Sequence, residues 1–414
     1  MLAQREPKAS GYADRSVPLE ATLRLVPELC RRYGITRIGD TTHLDRIGIP
    51  TYCAIVPRSA DLIGVYNGKG LSHDAARASA VMEAAERQIA TQVRLPTLHE
   101  SVARIDERLS ISSCDLLPEA RDLVVECVEG TDLLCGTTLA VPLAMVQCPW
   151  FGPRLFRWTS TNGLASGNTL TEAIYHALCE LIERHSWSLY EARCHLLARF
   201  YLGRDAGDLP FARAVALPSG NAAVDALAQR IAAAGLELRA FWLAADPLPM
   251  TVLATVSEPG SDPPMAHLGM GTSLSGAYAL IRAITEAVQS RVVDIQGARE
   301  DILRADEPAG ITGEHGRRRN EPPRRTWCYD LPTPSVALDA VADRSSDDVA
   351  EDLRRLLTAM REAGMQHAVI VDLSPADLPI HVVRAIAPEC ETYAIDGRIG
   401  PKVLEALNPF SLSR

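Results

Sequence analysis

Two pairs of glutamates carry the first sign of chemistry. Glu83 and Glu86 stand three residues apart in AVMEAAERQ, and Glu180 and Glu183 in ALCELIERH. A third stretch, IRAITEAVQSR, repeats the spacing with Glu286 and Gln289. At about 100° per residue, Ser79, Glu83 and Glu86 fall within about 60° of one another on a helix, as do Arg282, Glu286 and Gln289. Glu172, Glu180 and Glu183 fall within about 80°. Carboxylates gathered on one line repel one another unless cations neutralise them. Hard divalent ions answer that need, and Mg²⁺ typically takes one or two carboxylates plus phosphate oxygens. Arg282 and nearby Ser and Asn side chains suit a polyphosphate. The P-loop pattern GxxxxGK[ST] is absent, because NGKG at 67–70 lacks the earlier glycine and the hydroxyl. The residues favour a metal–nucleotide site built without a P-loop.

The elements that must position these groups repeat as well. GKGLSHDAARASAVMEAAERQ (68–88), ASGNTLTEAIYHALCELIERH (165–185) and GTSLSGAYALIRAITEAVQSR (271–291) align without gaps. Each begins in a small-residue turn and runs into an Ala-rich helix. Ala76, Ala173 and Ala279 coincide, and so do Ala80, Ala177 and Ala283. A period of roughly 100 residues is too long for a solenoid. It reads as one structural device used three times around a shared site. A lone ExxE usually marks a solvated helix face; repetition in matching contexts favours a ligand. Asn168 or Thr169 in GLASGNTL is placed to cap the second helix, and a helix start also attracts phosphate.

Apolar β-rich runs at 51–59, 131–146, 236–244, 250–256 and 367–374 alternate irregularly with helical patterns at 72–92, 169–200, 222–234, 276–297 and 347–363. The fold class expected is mixed α/β, not a regular doubly wound sheet. Residues 303–326 lack periodicity and carry Arg317, Arg318, Arg319, Arg324 and Arg325. They read as a long surface loop.

The chain has 414 residues, 47% of them apolar and 23% charged, as in an ordinary globular enzyme. A net charge of −10 disfavours nucleic acid as the main partner. No apolar run approaches the ~20 residues needed to span a bilayer. The N-terminal MLAQREPKASGYADRS has no apolar signal core, so a cytoplasmic location is expected, with no membrane partner. The ten cysteines form no CxxC pair and no Cys/His cluster at zinc spacing. They are expected to be reduced, buried thiols, Cys179 included.

GITRIGDTTHLDRIGIPTYCAIVPRS, then YNGKGLSHDAARASAVMEAAER, then NGLASGNTLTEAIYHALCELIER resemble the YcaO superfamily in order and spacing. The likeness covers roughly residues 15–300 well and continues more loosely to the end. It implies one composite domain over 15–414 after a tail at 1–14, with the loop at 303–326 and a looser part at 327–414. It also implies ATP and Mg²⁺ as cofactors, and phosphorylation of a backbone amide oxygen of a peptide. A Cys, Ser or Thr side chain of the peptide then closes an azoline, or an external sulfur donor gives a thioamide. By this resemblance Glu83, Glu86, Glu180 and Glu183 match the acids that hold Mg²⁺ on the ATP phosphates. Ser79, Asn168 and Glu172 match positions around the nucleotide. Arg282, Glu286 and Gln289 match a third motif, with Arg282 the phosphate or adenosine contact. Arg15 and Thr22 resemble a nucleotide-contacting N-terminal segment, and Arg184 is placed as a further phosphate contact. Arg291 lies on the opposite side of its helix from Arg282 and is left out, and Lys69 in NGKG is left unassigned.

Azoline-forming relatives often end in a PxPxP tail, whereas this chain ends NPFSLSR. GITRIGDTTHLDRIGIP and APECETYAIDGRIGPKV look more like members that work with a TfuA-like partner. Thioamide formation on a ribosomally made peptide or protein is therefore the leading expectation, with a homodimer and substrate selection shared with the partner. A cyclodehydratase making azoline or amidine rings is the alternative, and a non-catalytic precursor-binding scaffold the second.

Overall fold

The computed structural model describes residues 4–9, 14–157, 159–193, 213–243, 247–260, 266–299, 335–341 and 343–406. The Arg-rich stretch 303–326 and the terminal NPFSLSR lie outside the described residues. In chain order, the first part holds α1 (Leu19–Tyr33), β1 (Arg37–Asp40), β2 (Thr51–Ile55), β3 (Val65–Lys69) and α2 (His73–Thr91). The second runs through β4 (Leu98–Ser101), α3 (Val102–Leu109), β5 (Val124–Asp132), β6 (Thr137–Pro142), β7 (Leu164–Gly167) and α4 (Leu170–Ala192). The third holds β8 (Arg213–Val215), α5 (Ala222–Ala233), β9 (Glu237–Trp242), β10 (Met250–Ser257), β11 (Ala266–Ser273) and α6 (Gly276–Gln296). The last holds β12 (Ser335–Val336), α7 (Val349–Glu362), β13 (Val369–Asp372) and β14 (His381–Ile386).

The described strands make three sheets. One is the antiparallel β1-β2-β3, one runs β11-β10-β9-β8-β12, and one runs β4-β5-β13-β14-β7 with β6 on β5. The architecture is the mixed α/β class read from the sequence. The run 131–146, read as one β-rich stretch, is instead the end of β5, a turn, β6 and one helical turn at Leu143–Val146. Gly136 takes a left-handed φ of 72°, which an apolar run does not announce, and so turns β5 back into β6. Cys135 lies on that turn and is exposed, contrary to the buried thiols expected. The other described cysteines are buried or half-buried, and none is in a disulfide.

Four apolar clusters hold the layers. Val26, Leu29, Ala80 and Ala84 join α1 and α2 to the first sheet. Ile174, Leu178, Leu353 and Met360 join α4 and α7 to the six-stranded sheet, and Ile105, Leu109 and Val141 fill its other face under α3. Val224, Ile231, Leu280 and Ile284 press α5 and α6 onto the five-stranded sheet. No described helix is long and apolar enough to cross a membrane.

The threefold repeat is now visible as packing. In each unit a glycine-bearing strand lies against an alanine-faced helix: β3 on α2, β7 on α4, β11 on α6. Ala76, Ala80, Ala173, Ala177, Ala279 and Ala283 are fully buried at these seams. A Cβ at Gly68 would stand 2.1 Å from the Ala80 nitrogen, at Gly167 2.6 Å from that of Ala173, and at Gly271 2.2 Å from the Ala279 carbonyl oxygen. The contacts also run round a ring, because α2 touches β7, α4 touches β11, and α6 returns to β3. Gly271→Ala is expected to cost about 1–3 kcal/mol through overpacking. Urea unfolding with an unchanged midpoint would show that the seam is looser than described.

Candidate functional site

The ring brings the three acidic faces to its middle. Every pair of helices shares at least one electrostatic contact between carboxylates. Glu83 on α2 feels Glu286 on α6, Glu86 on α2 feels Glu180 on α4, and Glu183 on α4 feels Glu286. Glu183 is buried, whereas Glu83, Glu86, Glu180 and Glu286 are half-buried. Ser79 and Gln289 are also half-buried, on the faces of α2 and α6 that carry Glu83 and Glu286.

Burial and mutual repulsion set the protonation. Desolvation, reinforced by Glu83 and Glu180, pushes Glu86 up to about 8 despite a hydrogen bond with Ser166. Desolvation and Glu286 push Glu183 up to about 7, against the pull of Arg184 and Arg282. Glu83 and Glu180 are raised too, chiefly by desolvation. Glu286 goes the other way: burial opposes its charge, but Lys69 and Arg184 overcome that and hold it below the usual range.

The cations come from neighbouring units. Lys69 projects from β3 on the side opposite Gly68, and its ammonium donates to the Glu286 carboxylate. Arg184 sits 3.7 Å from Glu183 Oε1, with its guanidinium 5.7 Å from the centre of the Trp187 ring. Arg282 is strongly held in its charged form by Tyr278, Glu183 and Glu286 despite burial. Its Nε is buried without a hydrogen-bond partner, as are Glu183 Oε2, His176 Nε2 and Asn67 Nδ2. Buried polar atoms are rarely left so. Orphaned donors and acceptors beside clustered acids fit a ligand that carries both metal ions and phosphate oxygens.

Glu172, Asn168, Arg15 and Thr22 form a group of their own at the start of α4. The Glu172 side chain is fully buried. Its Oε1 accepts from the Ser16 backbone N–H at 2.7 Å, the Ser16 hydroxyl at 2.9 Å and the Val17 N–H at 3.2 Å. Its Oε2 accepts from the Asn168 N–H at 2.9 Å and from Arg15 at 3.4 Å. Arg15 and these N–H donors hold it below the usual carboxylate range, although burial opposes them. Thr22 donates to Asn168 Oδ1 at 2.9 Å and so ties α1 to this knot. Of the two capping candidates the structure selects Thr169, which accepts from the Glu172 N–H at 3.1 Å. Residues 4–9, set apart as tail in the sequence, are bound here as well. Glu6 accepts from Ser16 and Thr169, and Lys8 pairs with Asp352 of α7 at 2.6 Å.

Arg291 points away, as the helix geometry predicts, and is buried on Asp45 at 3.1 Å and near Glu258 at 3.5 Å. Burial pushes the Cys179 thiol far up, which fits an inert core residue. Five groups near the acids escaped the sequence reading, and two of them, Arg299 and Arg87, act on Glu83. Lys69 was visible in NGKG but lacked a partner. Arg384 on β14 acts on Glu180 and is anchored on the Met145 and Ser160 carbonyls. His176 is buried on α4 and kept neutral by desolvation and by Arg15 and Arg282. Nothing in sequence marks the last two, since their relevance depends on which strands and helices meet.

Three strand–helix units thus ring the clustered acids, and the sequence holds no P-loop pattern. The chain matches the YcaO cyclodehydratase, ATP- and Mg²⁺-binding family over residues 67–391, and it belongs to that family. ATP and Mg²⁺ are accordingly its cofactors. It is 35% identical over 396 residues to an uncharacterised protein of Methanothermobacter thermautotrophicus, covering 93% of this chain and 97% of that one. It is 30% identical over 408 residues to an uncharacterised protein in the tfuA 3′ region of Rhizobium leguminosarum bv. trifolii, covering 92% and 90%. YcaO from Methanopyrus kandleri, solved with AMPPCP and Mg²⁺, shares the fold with a TM-score of 0.69 at 24% identity, covering 94% and 97%. A heterocyclase solved with substrate and cofactor superposes with a TM-score of 0.74 at 19% identity, over 94% of this chain and 54% of that one.

Two outcomes follow from the electrostatics. Carboxyls with raised values bind more protons folded than unfolded, so without ligand stability falls as pH rises from the ordinary glutamate range, about 4.5, through about 7 for Glu183 and about 8 for Glu86. Melting temperatures across that window should show the fall in wild type and a shallower one in Glu86→Gln; equal slopes would remove Glu86 as a contributor. For Glu172→Ala, the buried donors left unpaired should cost about 3 kcal/mol in urea unfolding. Unchanged stability would show that the knot does not depend on these bonds.

Proposed function

We propose that the chain makes thioamides, activating a backbone amide of a ribosomally made peptide or protein with ATP and then admitting sulfur, together with a TfuA-like partner. The observation that carries this reading is the relative in a tfuA 3′ region, similar along nearly the whole of both chains. In this reading Glu83, Glu86, Glu180 and Glu183 hold the Mg²⁺ ions. Arg282, Arg184 and Lys69 offset the phosphate charge. Ser79, Gln289 and the knot of Arg15, Thr22, Asn168 and Glu172 line the nucleotide, and the chain acts as a homodimer. Bound Mg·ATP supplies a phosphoryl group that turns the amide oxygen into a leaving group.

The residues present can do their share of that work. Ligand entry lets the raised carboxyls release their protons and coordinate as anions, since metal binding and proton release are linked. Lys69 already compensates Glu286 and favours its charged form, whereas burial favours the protonated form of its neighbours. Arg282, fixed in its charged form with a spare donor, aims a permanent cation at the cluster.

Glu83→Gln and Glu183→Gln keep the volume and remove the charge. Each is expected to abolish ATP turnover, with unfolding midpoints at or above wild type near neutral pH. Turnover within twofold of wild type in either variant overturns the metal assignment. Incubation with candidate peptide, ATP and Mg²⁺, with and without sulfide and the partner, identifies the product by mass. Exchange of oxygen for sulfur adds roughly 16 Da, whereas ring closure loses roughly 18 Da as water. The second result would replace thioamide formation by cyclodehydration, and absence of ATP turnover throughout would leave a precursor-binding scaffold.

A further inference from the structure

The exposed thiol on the β5–β6 turn stands in company that its sequence neighbours do not reveal. Asp132 ends β5, Cys135 follows within the turn, and His367 arrives from the segment just before β13. One donor atom from each lies within 4.8 Å of the other two. The Asp132 carboxylate is fully buried and oriented. Its Oδ1 accepts from the Leu134 N–H at 2.9 Å and the Ala368 N–H at 3.1 Å. That leaves Oδ2 facing His367 Nδ1, 2.8 Å away. Cys135 Sγ donates to the Gln366 carbonyl at 3.5 Å and is also within hydrogen-bond reach of the Asp132 carboxylate. The turn is itself fixed, because the Gly136 N–H donates to the Asp132 carbonyl at 2.8 Å.

We propose that Asp132, Cys135 and His367 form a zinc site that clips the β5–β6 hairpin to the start of β13. One oxygen, one nitrogen and one sulfur donor select a borderline-soft divalent ion and disfavour Mg²⁺ or Ca²⁺, which want oxygen alone. Zinc bond lengths of about 2.0–2.3 Å set neighbouring donors of a tetrahedral ion roughly 3–4 Å apart. Cys135 therefore has only to swing inward, and Asp132 and His367 to part slightly. The two backbone N–H groups on Oδ1 are the outer contacts that such a carboxylate ligand needs. Because Cys135 is exposed, the fourth position opens to solvent and takes water. Arg361, which donates to the Leu134 carbonyl at 3.3 Å, puts a positive charge beside the turn and weakens the site without blocking it. The spacing of cysteines in sequence excluded zinc because the third ligand lies 232 residues beyond Cys135 and only the pairing of β5 with β13 brings it in.

Cobalt reads this site separately from the acidic one. The full chain is saturated with Mg²⁺ and a non-hydrolysable ATP analogue, then titrated with Co²⁺. One equivalent should bind with a thiolate-to-cobalt charge-transfer band and the intense visible bands of tetrahedral geometry, and Zn²⁺ should displace it. In Cys135→Ser the charge-transfer band should vanish and affinity should fall by about 100-fold or more, beyond the 10–100-fold typical of losing an outer contact. His367→Gln should lose the tetrahedral bands, with its circular dichroism unchanged. Absence of a sulfur band in wild type overturns the proposal, and so does a band that survives in Cys135→Ser. A weak octahedral spectrum alone would place the metal on carboxylates and overturn it as well.

Discussion

Like charges on three different helices are forced toward one another, and much of the structure exists to make that tolerable. Two unit charges 4 Å apart repel by about 4 kcal/mol at an effective dielectric constant near 20. A domain's whole stability is roughly 5–15 kcal/mol, so five bare carboxylates at the centre would threaten the fold. The chain answers in two ways. Lys69, Arg184 and Arg282 stand among the acids from β3, α4 and α6. Glu86 and Glu183 hold their protons to about 8 and about 7 when no other cation is present. Proton and metal ion are then alternative occupants of the same oxygens.

Glu172 shows what a buried glutamate looks like when the chain itself satisfies it. It lies on the same helix as Glu180 and Glu183, yet its oxygens are filled by backbone N–H groups and Arg15. Its carboxyl is held down rather than pushed up. Two regimes thus share one helix: a closed knot at its start that fastens residues 4–9 and 14–22, and a cluster two to three turns on where Glu183 Oε2 has no partner.

The ExxE faces, the aligned alanines and the small-residue turns were legible because each depends on spacing within one helix. Helices at 73–91, 222–233 and 276–296 ended within a residue or two of the sequence boundaries, with Gly297 closing the last in a left-handed conformation. The hairpin at 133–136 was hidden, because apolar residues on both sides mask a turn that hangs on Gly136 alone. Arg384 and His367 were hidden for a different reason. Each matters only through strands that pair across hundreds of residues, and no local pattern encodes that pairing. Lys69 falls between these cases, visible as a residue but mute about its partner.

The ring of contacts has a mechanical side. A linear stack of three units would let an end unit fray while the others stayed in place. Here α6 of the third unit rests on β3 of the first, so there is no end unit. Loosening any one seam exposes faces belonging to both neighbours, and the opening of the centre is shared rather than local. A chain of this kind breathes as one body, and the ligand at its hub acts on all three helices at once.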